Sequence, residues 1–209
     1  MGFLKLLYRK IFLSYPQELR AVVGSSATLL DVGCGSNSPV RFLSKNIHST
    51  GVDVFEPSIE ESRSRGIHKD YFKANVLDID KLFGEKSVDC VLASDVIEHL
   101  EKTDGYNLLD KMEKIASKKV IIFTPNGFIN QEPYEGNPWQ VHRSGWTPEE
   151  MMERGYKITG INGFKPLRGE RSFVRYKPRI FWEIVSDITQ LFTKRNPKFA
   201  AQILCVKEL

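Results

Sequence analysis

The run LLDVGCGSNSP, Leu29 to Pro39, is an apolar strand that meets glycines and then ends on a serine and a proline. Gly33 and Gly35 permit a tight turn and let a ligand approach the backbone closely. Ser38 fits a helix N-cap and Pro39 the first helical position. The free N–H groups of such a helix start attract an anionic group. A dinucleotide-binding loop wants Gly or Ala where Ser38 stands. The loop therefore suits a small anion, such as a carboxylate, better than a pyrophosphate. At the end of the next β-rich run, Asp53 lies twenty positions after Gly33. An acid there can accept both hydroxyls of an adenosine ribose.

The chain alternates such runs with helical patterns. Strand-like stretches are TLLDVG (28–33), TGVDVF (50–55), DYFKANV (70–76), VDCVLASD (88–95), KKVIIFTP (118–125), YKITGING (156–163) and AQILCVKEL (201–209). Helical patterns cover 39–46, 57–65 and 104–116, the last with Leu108, Leu109, Met112 and Ile115 on one face and Asp104 as N-cap. Thr147 starts a further helix that Gly155 stops. Strands separated by helices argue for a parallel α/β sheet. The last two strands, parted by a basic stretch and a helix, are expected to close it as an antiparallel pair. The reading is a helical extension over 1–24 and one domain over 25–209, with a basic, helical insertion over 168–198.

A chain of 209 residues buries a sizeable core without metals or disulfides. A net charge of +4 is far from a nucleic-acid-binding signature. Cys34, Cys90 and Cys205 lie in or beside apolar runs and read as buried, reduced thiols of a cytoplasmic protein. No apolar run reaches the ~18 residues of a membrane span. The start MGFLKLLYRKIFL lacks a signal-peptide cleavage site, and Leu6 stands where myristoylation wants Ser or Thr.

Together these motifs resemble the class I S-adenosylmethionine (SAM)-dependent methyltransferases, over about Thr28 to Gly163. LLDVGCGSNSP resembles the first motif and GVDVFEP the acidic loop after the second strand. FKANVLDI resembles the adenine-contacting stretch, with Asn75 where Asp is frequent. VDCVLASDVIEHL and VIIFTPNG resemble the regions around the fourth and fifth strands. The resemblance implies a Rossmann-like three-layer sandwich, a seven-stranded sheet of order 3-2-1-4-5-7-6 with strand 7 antiparallel. It implies SAM held by the loop of Asp31, Gly33, Cys34 and Gly35, with Asp53 on the ribose, Asn75 and Val76 on adenine, and Ser94 facing the methionine moiety.

Methyl transfer to oxygen or nitrogen must remove a proton, so a histidine near the sulfonium matters. His142, in NPWQVHRSGW, is the first candidate base and His99, in SDVIEHL, the second; His48 and His68 read as surface residues. SDVIEHL also resembles the quinone-biosynthesis O-methyltransferases, in which this stretch is linked to a divalent cation. The matching residues are Asp95, Glu98 and His99, although a metal is not the expected cofactor. Asn126, Phe128, Tyr134, Asn137, Trp139, His142 and Trp146 follow the fifth strand. An aromatic, amide-rich loop suits a small organic or glycan acceptor. The expected activity is O-methylation, with N-methylation, a nicotinamide-dependent oxidoreductase and a non-catalytic SAM-fold protein as alternatives. The apolar, basic segments at 3–13 and 175–192 suit a membrane interface. Amphipathic helices ordinarily face a core, which makes a sheet-covering helix the first expectation for the second segment.

Overall fold

The structure, a computed structural model, describes residues 15–133, 136–169 and 172–209. Seven strands form one sheet: β1 (Thr28–Val32), β2 (His48–Asp53), β3 (Asp70–Lys73), β4 (Val88–Ser94), β5 (Ala116–Pro125), β6 (Lys157–Phe164) and β7 (Ala200–Glu208). Their order is β3-β2-β1-β4-β5-β7-β6. β1 to β5 pair in parallel, and β7 runs antiparallel to both β5 and β6. All seven strand-like runs of the sequence are strands. The helices are α1 (Tyr15–Val23), α2 (Glu56–Ser64), α3 (Lys102–Ile115), α4 (Pro148–Glu153) and α5 (Arg179–Thr193).

Strand alternation sends neighbouring side chains to opposite faces. Leu30, Val32, Val91, Ile122 and Ile203 face one core with Leu108, Leu109, Met112 and Ile115 of α3. Leu29, Leu92, Phe123 and Leu204 face the other, with Leu19 and Val23 of α1. Cys34, Cys90 and Cys205 are free and buried. Burial pushes the Cys90 thiol up to about 12, so it stays an unreactive thiol.

Helix starts differ in detail from the expectation. Thr147 forms a full capping box with Glu150, as its position suggested. The helix expected over 39–46 is a single 3-10 turn, Pro39–Phe42, because Leu43 returns to extended backbone. α3 starts at Lys102 with Glu101 as N-cap, which places Asp104 inside its first turn.

Glu113 of α3 ties three elements together. It accepts from Arg154 Nε at 2.8 Å, Tyr156 Oη at 2.9 Å and Lys207 Nζ at 2.8 Å. Burial pushes its carboxyl up, but the bonds from Lys207, Arg154 and Tyr156 outweigh that and hold it below its ordinary value. A depressed folded pKa stabilises above the unfolded value, about 4.3, and that stability is lost as pH falls through the folded one. Glu113→Gln is expected to cost about 1–3 kcal/mol at neutral pH. The gap from wild type should close in strong acid. Urea melts at several pH values check it; a gap independent of pH would refute the charge account.

The largest departure is α5. Its buried residues are Ser186, Gln190 and Thr193, all polar, while its apolar residues face outward. The cause lies in β6, which is an edge strand with unpaired backbone groups. Gln190 Nε2 donates to Gly160 O at 2.7 Å, and its Oε1 accepts from Gly163 N at 2.7 Å. Thr189 Oγ1 accepts from Phe164 N at 2.9 Å, and Ser186 Oγ donates to Asn162 O at 3.2 Å. α5 therefore satisfies the edge with polar side chains. It is not the sheet-covering apolar helix that its periodicity suggested. A Cβ on Gly160 would run into Thr193 O and Ala200. Gly160→Ala is thus expected to lose about 1–3 kcal/mol, measured by chemical denaturation. An unchanged midpoint would mean that α5 is not held this closely.

Candidate active site

The glycine loop leaves β1 with Gly33 at φ 69° and Gly35 at φ 54°. The N–H groups of Gly33 and Cys34 both donate to Val52 O, at 2.8 and 3.0 Å. Asp53 binds the loop to the end of β2. Its Oδ2 accepts from Gly35 N at 2.8 Å and its Oδ1 from Phe55 N at 2.9 Å. Burial raises the Asp53 carboxyl, the backbone donors of Phe55, Gly35 and Val54 oppose that, and Asp31 adds a small push upward.

Asp31 supports the loop from beneath. Ser38 Oγ donates to Asp31 Oδ2 and accepts from Val40 N at 3.1 Å. His68 Nε2 lies 3.2 Å from the same Asp31 oxygen, with both side chains buried. His68 is therefore not a surface residue; its ring packs with the Cys34 thiol against Gly51, where any Cβ would clash. His48 is exposed in β2 and pairs with Asp70.

A cavity of about 330 Å³ opens above this loop. Gly33, Gly35 and Asp53 line one part of it, Asn75 and Val76 another. Asn75 Oδ1 accepts from Leu77 N at 3.0 Å, which leaves its amide N–H₂ for a ligand. Leu77, Glu101 and Arg143 also line it, and the sequence did not single them out. Cys34 does not line it, nor does Ser94, whose Oγ accepts from Tyr15 Oη at 2.9 Å.

A second cavity, about 410 Å³, adjoins the first. Asp95, His99 and Gln140 line both. Tyr15, Glu98, Gln131, His142, Asn162 and Gln202 line only the second. Tyr15 is held by stacking on Phe123, with ring centroids 3.6 Å apart.

The seam between the cavities is built from strained and buried polar groups. Asp95 sits at φ 54°, unusual for a residue with a side chain. Gln202 Nε2 donates to its Oδ1 at 3.2 Å. Glu98 is buried; Thr124 Oγ1 donates to its Oε2 at 2.9 Å, and its Oε1 has no hydrogen-bond partner. Burial pushes Asp95 up to about 7, opposed chiefly by the hydrogen bond from Gln202. Burial also pushes Glu98 well up, and the Asp95 charge adds to it.

His99 and His142 face each other with centroids 4.7 Å apart. His99 Nδ1 lies 3.2 Å from Val141 O, and His142 Nδ1 lies 2.6 Å from Ile129 O. A ring nitrogen beside a carbonyl carries the hydrogen, so Nε2 of each neutral ring is the accepting atom. Burial, together with the neighbouring His142, pushes His99 down to about 4 against opposing bonds to Val141 and Gln140. Glu98, His99 and His142 each place one ligating atom within 4.8 Å of the others.

The loop after β5 is pinned to this seam, since Arg143 N and Ser144 N both donate to Glu98 O, at 2.8 and 3.1 Å. Its aromatic and amide residues divide in role. Asn137 and Trp139 line the first cavity and His142 the second. Trp146 is wholly buried against Gly105 beneath Lys102, and Phe128 is exposed. Asn126 braces the backbone carbonyls of Pro197, Lys198 and Ala200. Tyr134 lies outside the described residues.

The sheet order, the glycine loop and the acid ending β2 are those of the class I SAM-dependent methyltransferase fold. Residues 30–124, just under half of the chain, match the sequence model of the family described as "Methyltransferase domain". A SAM-dependent methyltransferase from Archaeoglobus fulgidus superposes over all of both chains at 17% identity, TM-score 0.61. The methyltransferase domain of bacterial CtHen1-CN is 21% identical over 93% of this chain and 97% of its own, TM-score 0.57. The small RNA methyltransferase HEN1 is 19% identical over 98% of this chain and 25% of its own, TM-score 0.60. Among curated proteins, none matches the chain.

Proposed function

We propose that the chain transfers the methyl group of SAM to a hydroxyl oxygen of a small-molecule or glycan acceptor. The carrying observation is that the two cavities meet at Asp95, His99 and Gln140. SAM in the first cavity has its methionine part against Gly33 and Gly35, its ribose on Asp53 and its adenine beside Asn75 and Val76. The acceptor in the second cavity then presents its oxygen to the methyl group across the seam. Transfer is an in-line displacement: the acceptor oxygen bonds to the methyl carbon, the carbon–sulfur bond breaks, and S-adenosylhomocysteine leaves. The protein supplies alignment and exclusion of water. The hydroxyl proton passes to His142 Nε2. His99, pushed down to about 4, is a poor proton acceptor at neutral pH and stays neutral beside it.

The catalytic domain in this reading is 25–209, and the extension over 1–24 adds Tyr15 to the acceptor cavity. The likeness to a small RNA methyltransferase raises nucleic acid as an acceptor. A net charge of only +4 favours a small molecule. An acceptor panel scored by methyl incorporation tests the reading. Transfer to carbon, or to a nucleic-acid base, would overturn it.

The Glu98–His99–His142 cluster favours a second reading of the same site. Carboxylate and imidazole donors suit a divalent cation such as Mn, Zn or Mg. The buried, unpartnered Glu98 Oε1 fits such a ligand. Glu98, His99 and His142 would hold the ion, with Asp95 beside Glu98. When bound, it would supply Lewis-acid polarisation of the acceptor oxygen.

A further inference from the structure

We infer that the outward face of α5 docks on an anionic lipid surface. Its apolar residues form one stripe, Ile180, Phe181, Ile184, Ile188, Leu191 and Phe192. Ile180 is 75% exposed and the others 46–58%. Six large apolar side chains contiguous on one helix exceed the scattered exposure of an ordinary surface. The stripe is no accident of poor packing, because the opposite face of α5 is fully engaged with the edge of β6 through Ser186, Thr189 and Gln190. The helix cannot roll its apolar side inward without stranding those backbone groups.

Charge selects the occupant. Between residues 175 and 198 the sequence carries six cationic side chains against two anionic ones. Arg175, Lys177 and Arg179 are exposed at the start of the helix and Arg195 and Lys198 past its end. An apolar stripe with cations at both ends is the pattern of a helix lying in the plane of an anionic membrane interface. A second copy would set like charges against each other. The chain's own residues 3–13 carry Lys5, Arg9 and Lys10 and no acid, so they meet the same repulsion. Among the described residues no helix is long and apolar enough to cross a membrane, so α5 lies on the bilayer and does not span it. Asn162 and Ser172, on the rim of the acceptor cavity, neighbour the β6–α5 contact.

Flotation of the full chain with vesicles of phosphatidylcholine, with and without phosphatidylserine, tests this. The chain should float only with the phosphatidylserine vesicles, and added salt should release it. Lys177→Ala and Arg179→Ala should each weaken partitioning about fivefold, the equivalent of ~1 kcal/mol per surface cation. Ile184→Glu with Leu191→Glu should abolish it while SAM affinity and the circular dichroism spectrum stay those of wild type. Failure of the wild-type chain to float, or floating unaffected by the two glutamates, overturns the inference. So does a dimer in sedimentation that the same two glutamates dissolve without any vesicle binding. None of these outcomes depends on which acceptor atom is methylated.

Discussion

Calorimetric titration of Asp53→Ala with SAM is expected to give a dissociation constant raised roughly 30- to 150-fold. That is ~2–3 kcal/mol, the scale of hydrogen bonds to a charged group. Asp53 already accepts from Gly35 and Phe55, but a carboxylate has about four accepting positions, which leaves room for a ribose diol. Alanine removes both the diol contacts and the clip that shapes the glycine loop. Asp53→Asn separates these effects: the amide keeps the shape and one accepting oxygen but turns one backbone contact donor-to-donor. Its affinity should fall between alanine and wild type. A folded Asp53→Ala protein that binds SAM normally would remove Asp53 from the site.

The two loop glycines should respond differently, and the contrast is diagnostic. A Cβ on Gly33 would lie 2.6 Å from Val96 Cγ2, so substitution there damages the fold itself. A Cβ on Gly35 meets nothing within 4 Å, because it points into open space beside the cavity. Gly35→Val should therefore fold with only the strain of its positive φ, while losing SAM affinity to a side chain that occupies the ligand's space.

The strands were legible in the sequence because apolar runs and glycines are local signals. Ser38 and Thr147 announced their caps for the same reason. The sheet order followed from the family likeness, which carries long-range pairing that periodicity lacks. Residues whose role depends on distant partners were not legible. His68 looked like a surface histidine because nothing near it in sequence names Asp31, 37 positions earlier, as its neighbour. α5 was read the wrong way round, since a helical apolar stripe tells where the stripe is and not what lies opposite it. There the decisive fact is the unpaired edge of β6. Tyr15, Asn162 and Gln202 reach the second cavity from separate elements and carry no motif. Among the candidate cofactor residues, Gly33, Gly35, Asp53, Asn75 and Val76 line one cavity. Cys34 and Asp31 instead sit beneath the loop, where they shape it.

The histidines of the seam carry the last expectation. With His142 as base, His142→Ala should keep SAM affinity and lose roughly 10²–10⁴-fold in turnover, the usual worth of a positioned base. The deficit should narrow at high pH, where the acceptor hydroxyl ionises unaided. His99→Ala should cost much less, because an imidazole pushed down to about 4 contributes little proton affinity and serves mainly to orient its neighbour. The cation reading predicts another pattern from the same variants. His99, His142 and Glu98 would then be equivalent ligands, so all three substitutions should be severe, and EDTA should abolish wild-type activity until Mn, Zn or Mg is restored. Metal analysis of the purified protein gives a readout apart from turnover. If both histidine variants keep full activity and EDTA has no effect, neither proton transfer nor a cation operates at the seam. Catalysis would then rest on alignment and dehydration within the two joined cavities.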